Sequence, residues 1–227
     1  MPLNLYGWPL TDMYCCDTPD VGQATEVTQY EALVDLILER PGPVRLVAVD
    51  GPGGAGKSTF AARLEAAAAD RAFVVHTDDF ASAEEPINWW PRLKSSVIEP
   101  IVDGRTGRFR RYDWNQRALA EWIVVPRRPI VIIEGVSSSR LEWHNHLAFV
   151  VWMETAPDAR LGRGLERDGD DMLDQWMEWM AAEDRHFDRD GARGRADLLV
   201  DGNPELPHDA KTEFVALPSD RPRDGRT

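Results

Sequence analysis

In Val44-Arg-Leu-Val-Ala-Val49-Asp50-Gly51-Pro-Gly-Gly-Ala-Gly56-Lys57-Ser58-Thr59, an apolar run of strand type ends in glycines, and an alanine-rich helical segment, Ser58–Ala69, starts on the far side. Gly51 to Ser58 match G-x-x-x-x-G-K-[ST], a loop whose glycines let successive backbone N–H groups turn toward phosphate oxygens. The helix that follows adds unsatisfied N–H groups and the positive end of its dipole. Lys57 brings a full charge to β- and γ-phosphates, and the Ser58 hydroxyl suits Mg²⁺. Gly51, Gly53, Gly54, Ala55, Gly56, Lys57, Ser58 and Thr59 are therefore the expected ATP-binding residues.

Further apolar runs, Phe73–His76, Pro129–Ile133, Leu147–Met153 and Ala196–Val200, alternate with helical patterns. Helices are expected over Glu26–Arg40, Trp89–Val102, Gln116–Val124, Pro157–Arg167 and Met172–Phe187. This order predicts an α/β protein with a P-loop NTPase fold: a five-stranded parallel sheet flanked by helices, with a small arginine-rich lid. Thr155, Pro157 and Asp158 predict a capping box at the start of the lid helix. Residues 1–22 read as an irregular arm, 23–203 as the P-loop domain with a lid at about 157–175, and the Pro- and Asp-rich 204–227 as a loose tail.

A chain of 227 residues suits one domain with a subordinate lid. Cys15 and Cys16 are adjacent and make no disulfide framework, so a reducing, cytoplasmic setting is expected. No apolar run nears the ~20 residues that span a bilayer, and the N-terminus has no basic signal-peptide region, which speaks against membrane and secreted classes. With 26 basic and 39 acidic residues, the formal charge of −13 has the wrong sign for a nucleic-acid surface. Positive charge is instead local: Lys57 is joined only by Lys94 and Lys211 as lysines, and arginines cluster at 105–111 and 160–167. The acidic excess falls mainly elsewhere, as in 168–190.

Ligands of open α/β sheets bind beyond the carboxyl ends of the strands. Acids close two such ends, in His76-Thr77-Asp78-Asp79-Phe80 and Ile132-Ile133-Glu134-Gly135. Asp78 is the expected base toward an acceptor hydroxyl, shared with Mg²⁺; Glu134 is the expected metal partner beside Ser58; Asp79 could exchange roles with Asp78. Arg160, Arg163 and Arg167 share one helical face, where like charges need an anion opposite and the guanidinium fork suits a transferring phosphoryl group. Gly162 and Gly164 weaken that helix, as a lid that opens and closes requires.

Arg105, Arg108, Arg110 and Arg111, interleaved with Phe109 and Tyr112, fit either an anionic acceptor or a surface loop neutralised by Asp103 and Asp113. Trp89, Trp90 and Trp114 fit either base stacking or core packing. His144, His146 and His186 lack metal-ligand spacing.

With these pieces in place, the chain from about Val44 to Asn203 resembles the uridine/cytidine kinase family of P-loop kinases, whose wider superfamily includes phosphoribulokinase and bacterial pantothenate kinase. The resemblance rests on the Gly51–Ser58 loop, Asp78-Asp-Phe80, Tyr112-Asp-Trp114, Ile133-Glu-Gly135, Ala196-Asp-Leu-Leu-Val200 and the run from Thr155 through Arg160, Arg163 and Arg167 to Asp168. It implies phosphoryl transfer from ATP to an alcohol, with Asp78 as base and Mg²⁺ partner, Tyr112 near the acceptor and the three arginines near the phosphates. Lys57, Asp78 and Arg163 are then the expected catalytic set, and Asp78, Arg111, Tyr112 and Trp114 the acceptor-side set. The chain departs from the family at Ala81, where Tyr is usual, and at Glu84–Trp90, where Phe-Asp-His-Pro is missing. Arg108-Phe-Arg-Arg111 replaces the Pro-containing lead-in to Tyr112-Asp113, and acidic Gly169–Asp174 replaces further lid arginines.

A small-molecule acceptor, nucleoside first, follows from this reading, and a homo-oligomer is compatible with it. Two alternatives stay open: a kinase for a phosphorylated acceptor, and a nucleotide-dependent switch. No asparagine is followed by lysine, which counts against a guanine-specific switch.

Overall fold

Val47, Val49, Ile130 and Ile132 turn to one side of a sheet, while Leu46, Val131 and Ile133 turn to the other, the alternation of strands buried on both faces. The computed structural model describes residues 25–81 and 89–218. The strands are β1 (Glu26–Gln29), β2 (Arg45–Asp50), β3 (Ala72–His76), β4 (Gly107–Asp113), β5 (Ala118–Val125), β6 (Ile130–Glu134), β7 (Leu147–Glu154), β8 (Leu198–Asp201) and β9 (Glu213–Leu217). Seven of them form one sheet in the order β1-β9-β8-β7-β2-β6-β3, and β4 and β5 form a separate hairpin. The helices are α1 (Tyr30–Leu38), α2 (Lys57–Ala68), α3 (Trp90–Leu93), α4 (Glu99–Val102), α5 (Pro157–Asp168), α6 (Leu173–Asp190) and α7 (Ala192–Arg195), with a π-helical turn, Lys94–Ile98, joining α3 to α4.

Helices α1 and α2 cover one face of the sheet through Leu33, Ile37 and Leu64. Tyr30, Phe60 and Phe214 lock that layer as an aromatic trio with ring centroids 5.2–5.3 Å apart. On the other face Leu93, Val97, Ile98 and Ile101 pack with Phe109 and Val125 of the hairpin over Leu46, Val131 and Ile133. Ala192, Ala196 and Phe187 cover Ala48, Val150, Trp152 and Leu199 further along the sheet.

The parallel part is the expected five strands, β8-β7-β2-β6-β3. Two antiparallel pairings extend it, β8 with β9 and β9 with β1. The tail is accordingly not loose over Glu213–Leu217, where Phe214, Val215 and Ala216 are buried. Glu26–Gln29 leaves the expected first helix for the same reason: pairing with β9 satisfies its backbone, and the helix starts at Tyr30.

Gln116–Val124 is not helical. Trp122, Ile123, Val124 and Val125 have the aromatic and β-branched character of a strand, and the segment folds back on β4. The Arg110 guanidinium clips this hairpin by donating to the Leu119 and Ala120 carbonyls. The capping box at α5 does not form either. Thr155 donates its hydroxyl hydrogen toward the Glu154 and Ala55 carbonyls, so Ala156 becomes the N-cap and Pro157 takes the first turn. The arm at 1–22, most of the departure at Glu84–Trp90 and the end of the tail lie outside the described residues. Among the described residues no helix is long and apolar enough to cross a membrane.

The two lid glycines prove unequal. Gly164 packs against the Trp176 indole so closely that a Cβ would collide with the ring, whereas a Cβ at Gly162 would meet nothing within 4 Å. Trp176 in turn donates its indole N–H to Asp168 at 3.1 Å, so α5 and α6 are joined at this point. Gly164→Ala should cost about 1–3 kcal/mol through overpacking. Gly162→Ala should stabilise by up to about 1 kcal/mol through helix propensity. Urea denaturation of both variants checks the pair, and equal effects would contradict the Gly164–Trp176 contact.

Candidate functional site

Strand β2 lies between β6 and β7, so the glycine loop leaves the middle of the sheet's carboxyl edge. Gly54 has φ +75°, and a Cβ there would stand 2.6 Å from the Arg160 carbonyl, so the loop can pass beneath α5 only with glycine. The Arg163 guanidinium donates to the Gly54 carbonyl at 3.2 Å, the Gly202 carbonyl at 3.0 Å and Asn203 Oδ1 at 2.6 Å, tying α5 to the loop and to the segment after β8. Asp50 is fully buried and accepts from the Gly51 N–H at 2.7 Å, the Ser139 N–H at 2.8 Å and the Ser139 hydroxyl at 2.6 Å. Lys57 opens α2, is buried, and donates to the Pro52 carbonyl at 2.8 Å. Burial pushes its pKa down, and the charges of Glu134, Glu183, Asp50 and Asp78 oppose that shift.

Gly135, with φ +141°, leaves no room for a Cβ against Thr77, so the segments that follow β3 and β6 interlock. Asp78 and Glu134 are thereby brought into the same cleft. Glu134 is buried; its Oε1 accepts from the Ser58 hydroxyl at 3.0 Å, and its Oε2 lies 2.7 Å from His76 Nδ1. That hydrogen bond raises the His76 pKa, against a smaller opposing effect of desolvation. Asp78 remains open to solvent on one side, yet the cleft walls desolvate it and raise its pKa, and Glu134 raises it further while Lys57 lowers it. Among the described residues no side chain hydrogen-bonds to the Asp78 carboxylate. Asp79 is raised mainly by desolvation, and its carbonyl accepts from Arg92 at 2.7 Å.

Around this centre, Arg160 is buried, and its Nη1 and Nη2 lie 3.8 Å and 4.0 Å from Glu183 and Asp184. Arg167 pairs with Asp168 at 2.8 Å and stacks on Trp176. Tyr112 is buried edge-on to Trp114, with ring centroids 5.1 Å apart, and the half-exposed Trp114 donates its indole N–H to the Asp78 carbonyl at 3.3 Å. Arg111 is bound to Glu121 at 2.7 Å and to Asp113 at 3.4 Å. Trp89 belongs to the core, and Trp90 lies under the Arg140 guanidinium with its ring tilted against Trp143. Thr59 and Ser58 border an open depression of about 520 Å³ along α2, which Arg63 and Lys211 also line.

Two residues near the loop were not legible as such from the sequence. His76 carries no signal beyond closing a strand. Glu183 belongs to the acidic run 168–190, expected to stand apart from phosphate chemistry; its Oε2 instead accepts the Gly53 N–H at 2.9 Å. Its place in α6, seven residues after Trp176, is visible in the sequence, but the direction in which it faces depends on how α6 packs. Among the described residues no three His, Cys, Asp or Glu side chains cluster as a protein-only metal site. The adjacent oxygens of Ser58 and Glu134 match Mg²⁺, which commonly takes one or two protein oxygens and completes its shell with water and phosphate.

No protein-family model matches the chain, and no curated protein matches its sequence. Solved structures do match its fold. A Bacillus stearothermophilus structure described as a "Possible Uridine Kinase" superposes with a TM-score of 0.56 at 19% identity, covering 75% of this chain and 96% of that one. A Silicibacter sp. TM1040 structure described as a "putative fructose transport system kinase" gives 0.55 at 19% identity, covering 72% of this chain and 95% of the other. With β2 central, a glycine loop leading into α2 and acids closing β6 and following β3, the chain shares with them the P-loop NTPase fold.

Proposed function

We propose that this chain is an ATP- and Mg²⁺-dependent kinase that transfers the γ-phosphoryl group to a hydroxyl of a small neutral molecule, with a nucleoside as the first candidate acceptor. The observation that carries this reading is the meeting in one cleft, at the end of β2, β3 and β6, of Lys57, the Ser58–Glu134 pair and an Asp78 carboxylate that no side chain among the described residues hydrogen-bonds. A glycine turn alone would not need a carboxylate of raised pKa facing it. The nucleoside preference comes from the resemblance to uridine/cytidine kinases and from the fold neighbour described as a possible uridine kinase.

In the proposed reaction the backbone N–H groups of Gly51–Thr59 and the Lys57 ammonium hold the β- and γ-phosphates. Ser58 and Glu134 would hold Mg²⁺, which would supply charge neutralisation on the phosphates. Asp78 accepts the acceptor's hydroxyl proton as its oxygen bonds to the γ-phosphorus and the bond to ADP breaks. Its raised pKa brings it closer to working pH than an ordinary aspartate, which favours proton transfer. The Trp114 indole, bonded to the Asp78 backbone, gives the acceptor a wall beside that base.

A neutral acceptor fits the arginines of the hairpin region. Arg105 pairs with Asp103 at 2.9 Å, Arg108 lies 4.1 Å over the Trp122 ring, Arg110 serves backbone carbonyls and Arg111 serves Glu121. These partners agree with the surface-loop reading of the cluster, which favours a neutral acceptor over a phosphorylated one.

Lys57→Ala should lower phosphoryl transfer by roughly 10²–10³-fold while leaving a chain that still folds and melts cooperatively. Asp78→Asn should retain nucleotide binding and lose about 10²–10⁴-fold in turnover. ADP release measured across nucleosides, nucleotides, pantothenate and sugars tests the acceptor. Stimulation by none of them, or unchanged turnover in Asp78→Asn, contradicts the assignment.

The His76–Glu134 bond makes a separate pH prediction. Because the folded-state pKa of His76 is raised, its contribution to stability is full below the unfolded value and fades as pH rises through the folded one. The stability margin of wild type over His76→Ala should therefore be larger at about pH 6 than at about pH 9 in urea titrations. A margin that grows with pH would refute the protonated pair.

A further inference from the structure

The Gly53 N–H belongs to a loop built to meet phosphate oxygens, yet it is already taken. Glu183 reaches from the middle of α6 and accepts it at 2.9 Å, with only 17% of its side chain exposed. A Cβ on Gly53 would stand 3.0 Å from Glu183 Oε1 and 3.4 Å from the Trp176 ring, so α6 lies directly on this part of the loop. Beside it the Arg160 side chain is 5% exposed, and its Nη1 lies 3.8 Å from the same Glu183 Oε2, beyond hydrogen-bonding distance. Neither Nη1 nor Nε of Arg160 has a hydrogen-bond partner among the described residues. Buried guanidinium N–H groups without acceptors are costly, so an acceptor brought within reach of Nη1 would be favoured.

We propose that Glu183 is a built-in surrogate for a phosphate oxygen: it occupies Gly53 while nucleotide is absent, and an incoming phosphate displaces it onto the waiting donors of Arg160. The proposal rests on the reading of Gly51–Thr59 as a phosphate site. A shift of about 1 Å would bring the carboxylate within hydrogen-bonding reach of Nη1. In the exchange phosphate takes the Gly53 N–H, and Glu183 takes an unserved Nη1 N–H of Arg160. Charge favours the same motion. Lys57 already faces Glu134, Glu183, Asp50 and Asp78, so a polyphosphate arriving beside an unmoved Glu183 would meet like charge at close range. Since α6 carries both Glu183 and Trp176, and Trp176 packs on Gly164 of α5, the displacement is transmitted to the α5–α6 pair.

Self-occupancy reduces apparent nucleotide affinity by the fraction of loops that are free. Calorimetric titration of the full chain with a non-hydrolysable ATP analogue and Mg²⁺ reads that reduction as the ratio of dissociation constants between wild type and variants. Glu183→Gln, a neutral and weaker competitor for the Gly53 N–H, should bind about three- to tenfold tighter than wild type. Glu183→Asp, one methylene short of the loop, should also bind tighter and guards against a glutamine variant that is merely destabilised; melting curves establish that each variant is folded. Equal or weaker binding by the folded variants overturns the exchange and leaves the phosphate-site reading standing, because wild type still binds. Absence of binding in all three chains overturns both.

Discussion

A buried ammonium is the constraint around which the site is arranged. Lys57 is removed from water at the carboxyl edge of the sheet, and its side-chain hydrogen bond among the described residues goes to a neutral carbonyl, that of Pro52. A charge in that position persists only if opposite charge stands nearby. The chain supplies it from four different elements: Asp50 at the end of β2, Asp78 after β3, Glu134 at the end of β6 and Glu183 on α6. Each acid has a second attachment that fixes it, except Asp78, whose carboxylate accepts no side-chain hydrogen bond among the described residues. Asp50 is fixed by Ser139, Glu134 by Ser58 and His76, and Glu183 by Gly53.

The roof over this cluster is as closely fitted as its floor. Arg163 binds loop carbonyls and the segment after β8, the Arg160 backbone rests against Gly54, and Trp176 lies in the space that Gly164 leaves on α5. The arginine row is therefore divided by its surroundings. Arg163 serves the backbone, Arg160 is buried beneath acids, and Arg167 pairs with Asp168 at the outer end of the same helix. Equal spacing in the sequence does not produce equal roles, because each turn of α5 meets a different neighbour.

Much of the fold was legible. The loop Gly51–Thr59, the five parallel strands and the helices at 90–102, 157–168 and 173–190 follow from apolar periodicity and punctuation, which act over a few residues. The misread segments are those whose state depends on a distant partner. Glu26–Gln29 and Glu213–Leu217 become strands by pairing with one another across almost the whole chain. Ala118–Val125 carries an apolar pattern compatible with either state until β4 lies beside it. In the site, Ser58 and Glu134 could be anticipated because one follows a recognisable loop and the other closes an apolar strand.

The sequence by itself determined the phosphate-type loop, its position after a buried strand and the acids that end or follow neighbouring strands, because these features are local and their spacing is rigid. Only the tertiary structure decided that an acidic helix turns one carboxylate into the loop, that His76 faces Glu134 and that the hairpin arginines are already engaged. Those outcomes depend on which faces α5, α6 and the β4–β5 hairpin present to the sheet. Contacts such as Gly164 on Trp176 set those faces, and they join residues that no short-range pattern connects.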